Sequence, residues 1–196
     1  MRKQDHLAKK AKSEGYPARS VYKLQEIDQK YRLFFPGCSV LDLGAAPGSW
    51  TRWSRRRAGA DAKIVSVDLA AVEADEKTTV IEGDLLDPAL AARLRAHGAF
   101  DLVISDAAPA TTGNRLVDTA RSEELVEAVF RLAQELLLAG GSLVAKIFAG
   151  GGEKAYLDRL RAAFSRAALY RAKASRNESM EAFLVGVELT EPGRQI

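Results

Sequence analysis

Short apolar runs alternate along the chain with stretches whose apolar residues recur at helical spacing. The runs are SVLDLG (39–44), AKIVSVDL (62–69), TTVIEGD (78–84), FDLVISDAA (100–108), GSLVAKIF (141–148) and EAFLVGVEL (181–189). Each is too short for a typical helix and rich in Val, Ile and Leu, the signature of strands covered on both faces. Between them, helices are predicted near 48–58, 88–97, 119–139 and 152–166. Ahead of the first strand, SVYKLQEIDQKYRLF places Val21, Leu24, Ile27 and Tyr31 on one helical face, and Pro36 and Gly37 stop it.

Strands that alternate with helices predict an α/β fold with a mostly parallel sheet flanked by helices, Rossmann-like in character. A further strand is predicted near 168–174. It leaves no room for a crossover helix before the last run, so the last strand is expected to be antiparallel. Residues 1–17 read as a basic segment, flexible or loosely helical, that ends at Gly15 and Pro17. Residues 18–196 read as a single domain.

Composition narrows the class. With 196 residues and 47% hydrophobic content, the chain supports one sizeable core. One cysteine, Cys38, excludes an internal disulfide framework, and two histidines beside it make a zinc site unexpected, so no metal is assigned. No apolar run has the length of a membrane span, and the first fifteen residues lack the apolar centre of a secretory signal. A soluble, cytoplasmic monomer is the expectation.

Net charge is only +3, but cations cluster. Arg2, Lys3, Lys9, Lys10, Lys12, Arg19, Lys23, Lys30 and Arg32 crowd the first 32 residues, and Arg52, Arg55, Arg56 and Arg57 follow the first strand. Such patches attract phosphate backbones, although charge runs also serve as plain solvated faces.

The first strand opens into VLDLGAAPGSW, a glycine-rich turn without the G-x-G-x-x-G of dinucleotide binding or the G-x-x-x-x-G-K-[ST] of a phosphate loop. A ligand without phosphates suits it. In open α/β sheets, ligands sit beyond the carboxyl ends of the strands, and there this chain puts Asp42, Asp68, Asp84, Asp106 and Lys146. Each acid alone is an ordinary turn or cap residue; together they form a rim. Asp68 is placed to accept hydrogen bonds from both ribose hydroxyls of an adenosine, and Asp84 to meet an adenine amino group or a neighbouring amide. Trp50 reads either as an apolar wall for the ligand or as helix-to-sheet core. S-adenosyl-L-methionine fits such a rim, its amino-acid end meeting backbone groups of the turn.

LDLGAAPGSW, SVDL, GDLLD, SDAAPATTG, LVAKIF and ESMEAFLVG, preceded by ARSVYKLQEID, stand in the order and spacing of the FtsJ-type ribosomal RNA 2'-O-methyltransferases, which the chain resembles from Ala18 onward. Where the family pattern has a second glycine, this chain has Ser49. The resemblance implies the S-adenosylmethionine-dependent methyltransferase fold. It also implies a catalytic tetrad of Lys23, Asp106, Lys146 and Glu181, and a cofactor-binding set of Gly44, Gly48, Ser49, Trp50, Asp68, Asp84 and Asp106. On this reading a ribose 2'-oxygen attacks the sulfonium methyl in line, with Lys146 as general base. A nearby cation such as Lys23 favours the neutral amine that a base must be, while Asp106 opposes that and holds Lys146 in place.

The residues themselves support these roles unequally. Lys146 interrupts an apolar strand, so it needs a carboxylate partner or a cleft, and Asp106 on the adjacent strand is the natural partner. Lys23 lies at the edge of its helix's apolar face, and without the resemblance its reading as a snorkelling surface lysine prevails. Glu181 has no signal beyond a strand end. The resemblance further implies RNA as partner, guided by the basic helix and the arginines after the turn. For bacterial members the target is a uridine of 23S ribosomal RNA in the assembled large subunit. Methylation of another RNA, such as transfer RNA or a messenger cap, a non-catalytic ribosome-assembly factor, and a nucleotide-dependent dehydrogenase are the competing readings; the missing G-x-G-x-x-G argues against the last.

Overall fold

The computed structural model describes residues 3–150, 152–173, 180–191 and 196, with only the backbone for 3–5. Arg2, residue 174 of the anticipated strand, and Glu178 and Ser179 of the ESMEAFLVG motif lie outside the described residues. The elements run α1 (Lys3–Ser13), α2 (Val21–Tyr31), β1 (Val40–Leu43), α3 (Ser49–Ala58), β2 (Ile64–Asp68), β3 (Thr78–Glu82), α4 (Leu90–Arg95), β4 (Phe100–Ser105), α5 (Arg115–Leu136), β5 (Leu137–Phe148), α6 (Glu153–Ala163), β6 (Phe164–Tyr170) and β7 (Glu181–Leu189). The strands form one sheet in the order β3-β2-β1-β4-β5-β7-β6. The first five strands are parallel, and β7 runs antiparallel to both β5 and β6. This is the Rossmann-like sheet with an antiparallel last strand that the apolar pattern predicts.

Strand alternation distributes the core between two faces. Leu41, Leu43, Val65, Val67, Val103, Leu143 and Ala145 face α4, α5 and α6. Val40, Ile64, Leu102, Ile104, Val144, Phe183 and Val185 face α2 and α3, where Leu24, Ile27 and Trp50 meet them. The same period sends Lys146 and Glu181 to the α2 side, because each lies two residues from a member of that second set. Tyr16 and Ala11 are buried with Val21 and Tyr22, so the end of α1 packs onto the start of α2.

Two boundaries differ from the sequence expectation. The helix anticipated over 119–139 is α5, which ends at Leu136, and Leu137 begins β5 by pairing with Phe100. Non-local pairing overrides a helical pattern there. The strand anticipated near 168–174 is β6, which starts at Phe164 directly after α6. It is an edge strand, so its outer residues carry no alternating signal.

Candidate active site

Three loops meet at the carboxyl ends of β1, β2 and β4. Gly44 has φ 73°, and a Cβ there would meet the Ala107 Cβ at 2.6 Å. At Gly48, with φ 112°, a Cβ would overlap the Glu73 carbonyl oxygen. Both glycines let neighbouring backbone close over the turn. The resulting cavity, about 340 Å³, is lined by Gly44, Ala46, Asp68, Leu69, Gly83, Asp84, Leu85, Asp106, Ala107, Ala108 and Leu125. Among the described residues its charged groups are the three carboxylates of Asp68, Asp84 and Asp106, and no lysine or arginine lines it. Such a wall repels phosphates and attracts a cation. A neutral nucleoside carrying a sulfonium and an ammonium therefore fits the donor set. Asp68 accepts the Ala46 and Ala70 N–H groups at 2.8 and 2.9 Å, and Asp84 accepts that of Leu86 at 2.9 Å. These bonds orient both carboxylates, and the remaining lone pairs are available to a ligand.

Gly48, Ser49 and Trp50 are not on this wall, and two of their side chains are committed elsewhere. The Trp50 indole is buried, donates to the Ser20 carbonyl at 3.0 Å and packs 5.9 Å from the Phe183 ring, so it is core and not an apolar wall. Ser49 Oγ accepts the Ala18 N–H at 2.7 Å and donates to the Ala18 carbonyl at 3.1 Å. The Ser49 hydroxyl thus ties the N-terminal segment to the turn. What Ser49 and Trp50 retain for a ligand is backbone N–H at the start of α3, where helical N–H groups lack intrahelical partners.

The four charged residues implied as a tetrad come together at the edge of this cavity. Lys23 Nζ donates to Glu181 Oε2 at 2.8 Å and lies 3.9 Å from Asp106 Oδ1. Lys146 Nζ is 3.2 Å from the same Asp106 Oδ1, donates to the Asp106 carbonyl, and is 4.0 Å from Glu181 Oε1. The side chains are 6% (Lys146), 12% (Lys23), 16% (Asp106) and 22% (Glu181) exposed, so charges that would be weak at a surface act here with little screening. Asp106 Oδ1 is buried, and although Lys146 is close, no donor among the described residues is aligned with it as a hydrogen bond.

Sequence reasoning missed the floor of the site. Phe183 is the register partner of Lys146 across β5 and β7, fully buried, and Lys23 Nζ sits 5.8 Å above its ring. The aromatic face supports the cation while excluding water. Nothing local in EAFLVGVEL separates this phenylalanine from ordinary core. Leu69, Leu85 and Leu125 of the cavity wall were likewise unremarkable in the pattern.

Asp42, read as part of the rim, lies beneath it. It is fully buried, with Oδ2 accepting the Thr51 hydroxyl at 2.7 Å and Oδ1 without a hydrogen-bond partner among the described residues. Burial pushes its carboxyl up to about 7, with Asp106 and Asp68 adding to the rise and the Thr51 bond opposing it. The arginines after the turn also make contacts within the fold. Arg52 bonds the Gly15 carbonyl and Glu73, Arg55 bonds Asp75 and the Ala62 carbonyl, Arg56 bonds the Glu14 carbonyl, and Arg57 pairs with Asp28. This quartet stitches α1, α2 and the loop after β2 onto α3, while Arg56 and Arg57 stay exposed.

A model of the FtsJ-like methyltransferase family matches residues 16–189 of the chain. Two relatives named ribosomal RNA large subunit methyltransferase E are similar over nearly the whole length. The one from Treponema denticola is 46% identical over 187 residues, 94% of each chain. The one from Syntrophobacter fumaroxidans is 44% identical over 188 residues, 94% of this chain and 95% of the relative. Among solved structures, one described as a ribosomal RNA methyltransferase from Plasmodium falciparum superposes with a TM-score of 0.80 at 24% identity, covering 89% of this chain and 98% of that one. The MycE methyltransferase, solved with Mg and SAH, superposes at 0.56 with 17% identity over 98% of this chain and 50% of that one. These two likenesses speak for the fold.

Proposed function

The chain belongs to the FtsJ-like methyltransferase family, and from that premise we propose that it transfers a methyl group from S-adenosylmethionine to a ribose 2'-hydroxyl of large-subunit (23S) ribosomal RNA. The observation that carries the proposal is the pair of lysines gathered on one carboxylate, Asp106, at the edge of a cavity whose wall, among the described residues, holds no lysine or arginine. Gly44, Asp68, Asp84 and Asp106 hold the cofactor, with the backbone at Gly48, Ser49 and Trp50 receiving its amino-acid end. Bound there, S-adenosylmethionine supplies an electrophilic methyl on a sulfonium.

The chain's own residues supply proton handling and alignment. Lys23 and Lys146 compete for Asp106 Oδ1, at 3.9 and 3.2 Å. Glu181 holds Lys23 at 2.8 Å and is 4.0 Å from Lys146. Lys146, the nearer of the two to Asp106, is the residue assigned as the base. When it takes the 2'-hydroxyl proton, the new ammonium already has the Asp106 carboxylate and carbonyl around it. The site is complementary to the charge that develops during attack. The 2'-hydroxyl requirement also selects RNA over DNA.

A uridine in the assembled large subunit is the target this reading prefers, with the protein acting as a cytoplasmic monomer. Among the described residues no helix is long and apolar enough to cross a membrane. The test is transfer of labelled methyl to large subunits from cells lacking the modification, comparing wild type with Lys146→Ala and mapping the product. Methyl on a ribose 2'-oxygen, lost in the variant, supports the reaction. Transfer to transfer RNA instead, or cofactor binding without transfer, refutes this reading.

A further inference from the structure

Between Asp106 and α5 the chain makes an arm whose composition folding does not explain. It leaves the cavity wall at Ala107 and Ala108, and α5 returns to the same wall at Leu125. From Ala110 to Val117 every residue is exposed. Leu116 is 81% exposed, the most exposed of the large apolar side chains described. Arg115 is the first residue of α5, where the helix dipole disfavours a cation. Its guanidinium has no hydrogen-bond or ion-pair partner among the described residues. The arginines of α3, by contrast, are all engaged.

The arm is nevertheless held in one shape. Asp118, buried on the first turn of α5, accepts the Thr112 N–H at 2.7 Å, the Thr112 hydroxyl at 2.8 Å and the Gly113 N–H at 3.2 Å. Asn114 caps the helix by accepting the Leu116 and Val117 N–H groups at 3.1 and 3.4 Å. A buried carboxylate spent on an exposed turn fixes the place from which Arg115 and Leu116 project. An ordered arm presenting an unpaired cation, an apolar side chain and a helix N-terminus beside the site matches a phosphate and an unstacked base.

Resting on the function proposed above, we propose that this arm is an RNA-contact element on the β4 side of the cavity. Arg115 meets a phosphate and Leu116 an exposed base of the strand that flanks the reacting ribose. Asp118 is a positioning residue that acts through the Thr112–Gly113 turn.

Arg115→Glu and Leu116→Ser change exposed side chains, and cofactor affinity within about twofold of wild type verifies that they fold. On undermodified large subunits, Arg115→Glu is expected to raise KM about tenfold, with kcat changed less than about twofold. Retention of protein-free large-subunit RNA across a salt series should lose about one unit of log–log slope in Arg115→Ala. Asp118→Asn should raise KM in the wild-type background and add little to Arg115→Ala, the non-additivity of a residue that acts through another. A KM and a salt slope both equal to wild type overturn the proposal. A raised KM with an unchanged slope on protein-free RNA places the arm on ribosomal protein and also overturns it. If the wild type itself transfers no methyl to subunits, the function above fails, and the salt slope alone then supports or refutes the arm.

Discussion

Lys146 grips Asp106 twice, through the carboxylate at 3.2 Å and through that residue's own carbonyl. The contact joins neighbouring parallel strands, β5 and the end of β4, so the amine is positioned by the sheet and not by a flexible loop. Lys146→Met fills the same volume without a basic nitrogen. It is expected to lower the single-turnover rate by about 10²–10⁴, the range for loss of a general base, while calorimetry finds cofactor affinity nearly unchanged. Retention of most of the rate would remove Lys146 from the chemistry.

Glu181 should matter less. Its partner Lys23 keeps Asp106 at 3.9 Å, and Lys146 is 4.0 Å from Glu181 with closer contacts of its own. Glu181→Gln retains a hydrogen-bond acceptor for Lys23, so a drop in kcat of about tenfold or less is expected, well short of the loss at Lys146. Comparing both variants under saturating substrate checks the order; equal losses would contradict it.

Asp42 gives a pH signature in stability. Its folded-state carboxyl titrates at about 7, above the ordinary 3.8, so between those limits the native state holds a proton that the unfolded chain has released. Stability from this group is therefore full below about pH 4 and declines as pH rises toward 7, by up to about 1.4 kcal/mol per pH unit. Asp42→Asn removes the titration. Denaturant melts at several pH values should show the stability difference between variant and wild type moving in the variant's favour from about pH 4 to 7 and levelling above. A pH-independent difference would exclude the raised carboxyl.

Arg55 separates stitching from RNA binding. It donates to the Gly59, Ala60, Ala62 and Lys77 carbonyls as well as to Asp75 and Thr78. Because Asp75 is partly exposed, most of the loss in Arg55→Ala comes from the carbonyl bonds. A destabilisation of about 2–3 kcal/mol is expected from bonds of a charged donor. The salt slope for RNA should not change. A reduced slope without a drop in melting temperature would return the α3 arginines to the RNA surface.

The elements of the sheet were legible because their signals are local. Val-Ile-Leu runs of strand length, a glycine turn after the first of them, and acids at the tips of the second, third and fourth each need only a few neighbouring residues to be read. Lys146 announced itself by interrupting an apolar run. Lys23 and Glu181 carried no such signal and came from the resemblance. Their ion pair spans 158 positions of sequence and exists because β7 inserts antiparallel beside β5, which sets Glu181 on the face that α2 covers.

The sequence by itself determined the fold class, the absence of a phosphate-cradling turn and the family, since periodicity and motif spacing are properties of contiguous residues. Apart from the Lys146–Asp106 pair, tertiary structure decided which charges are partnered. Asp42 fell below the rim because strand alternation turned it toward α3. The arginines of α3 became stitches because the loop after β2 and the end of α1 brought acceptors to them. Trp50 became core because Phe183 arrived from the far end of the chain. A side chain's type and period are written locally, but the groups that neutralise, bury or expose it come from elsewhere in the chain, and their arrival depends on how the whole sheet pairs.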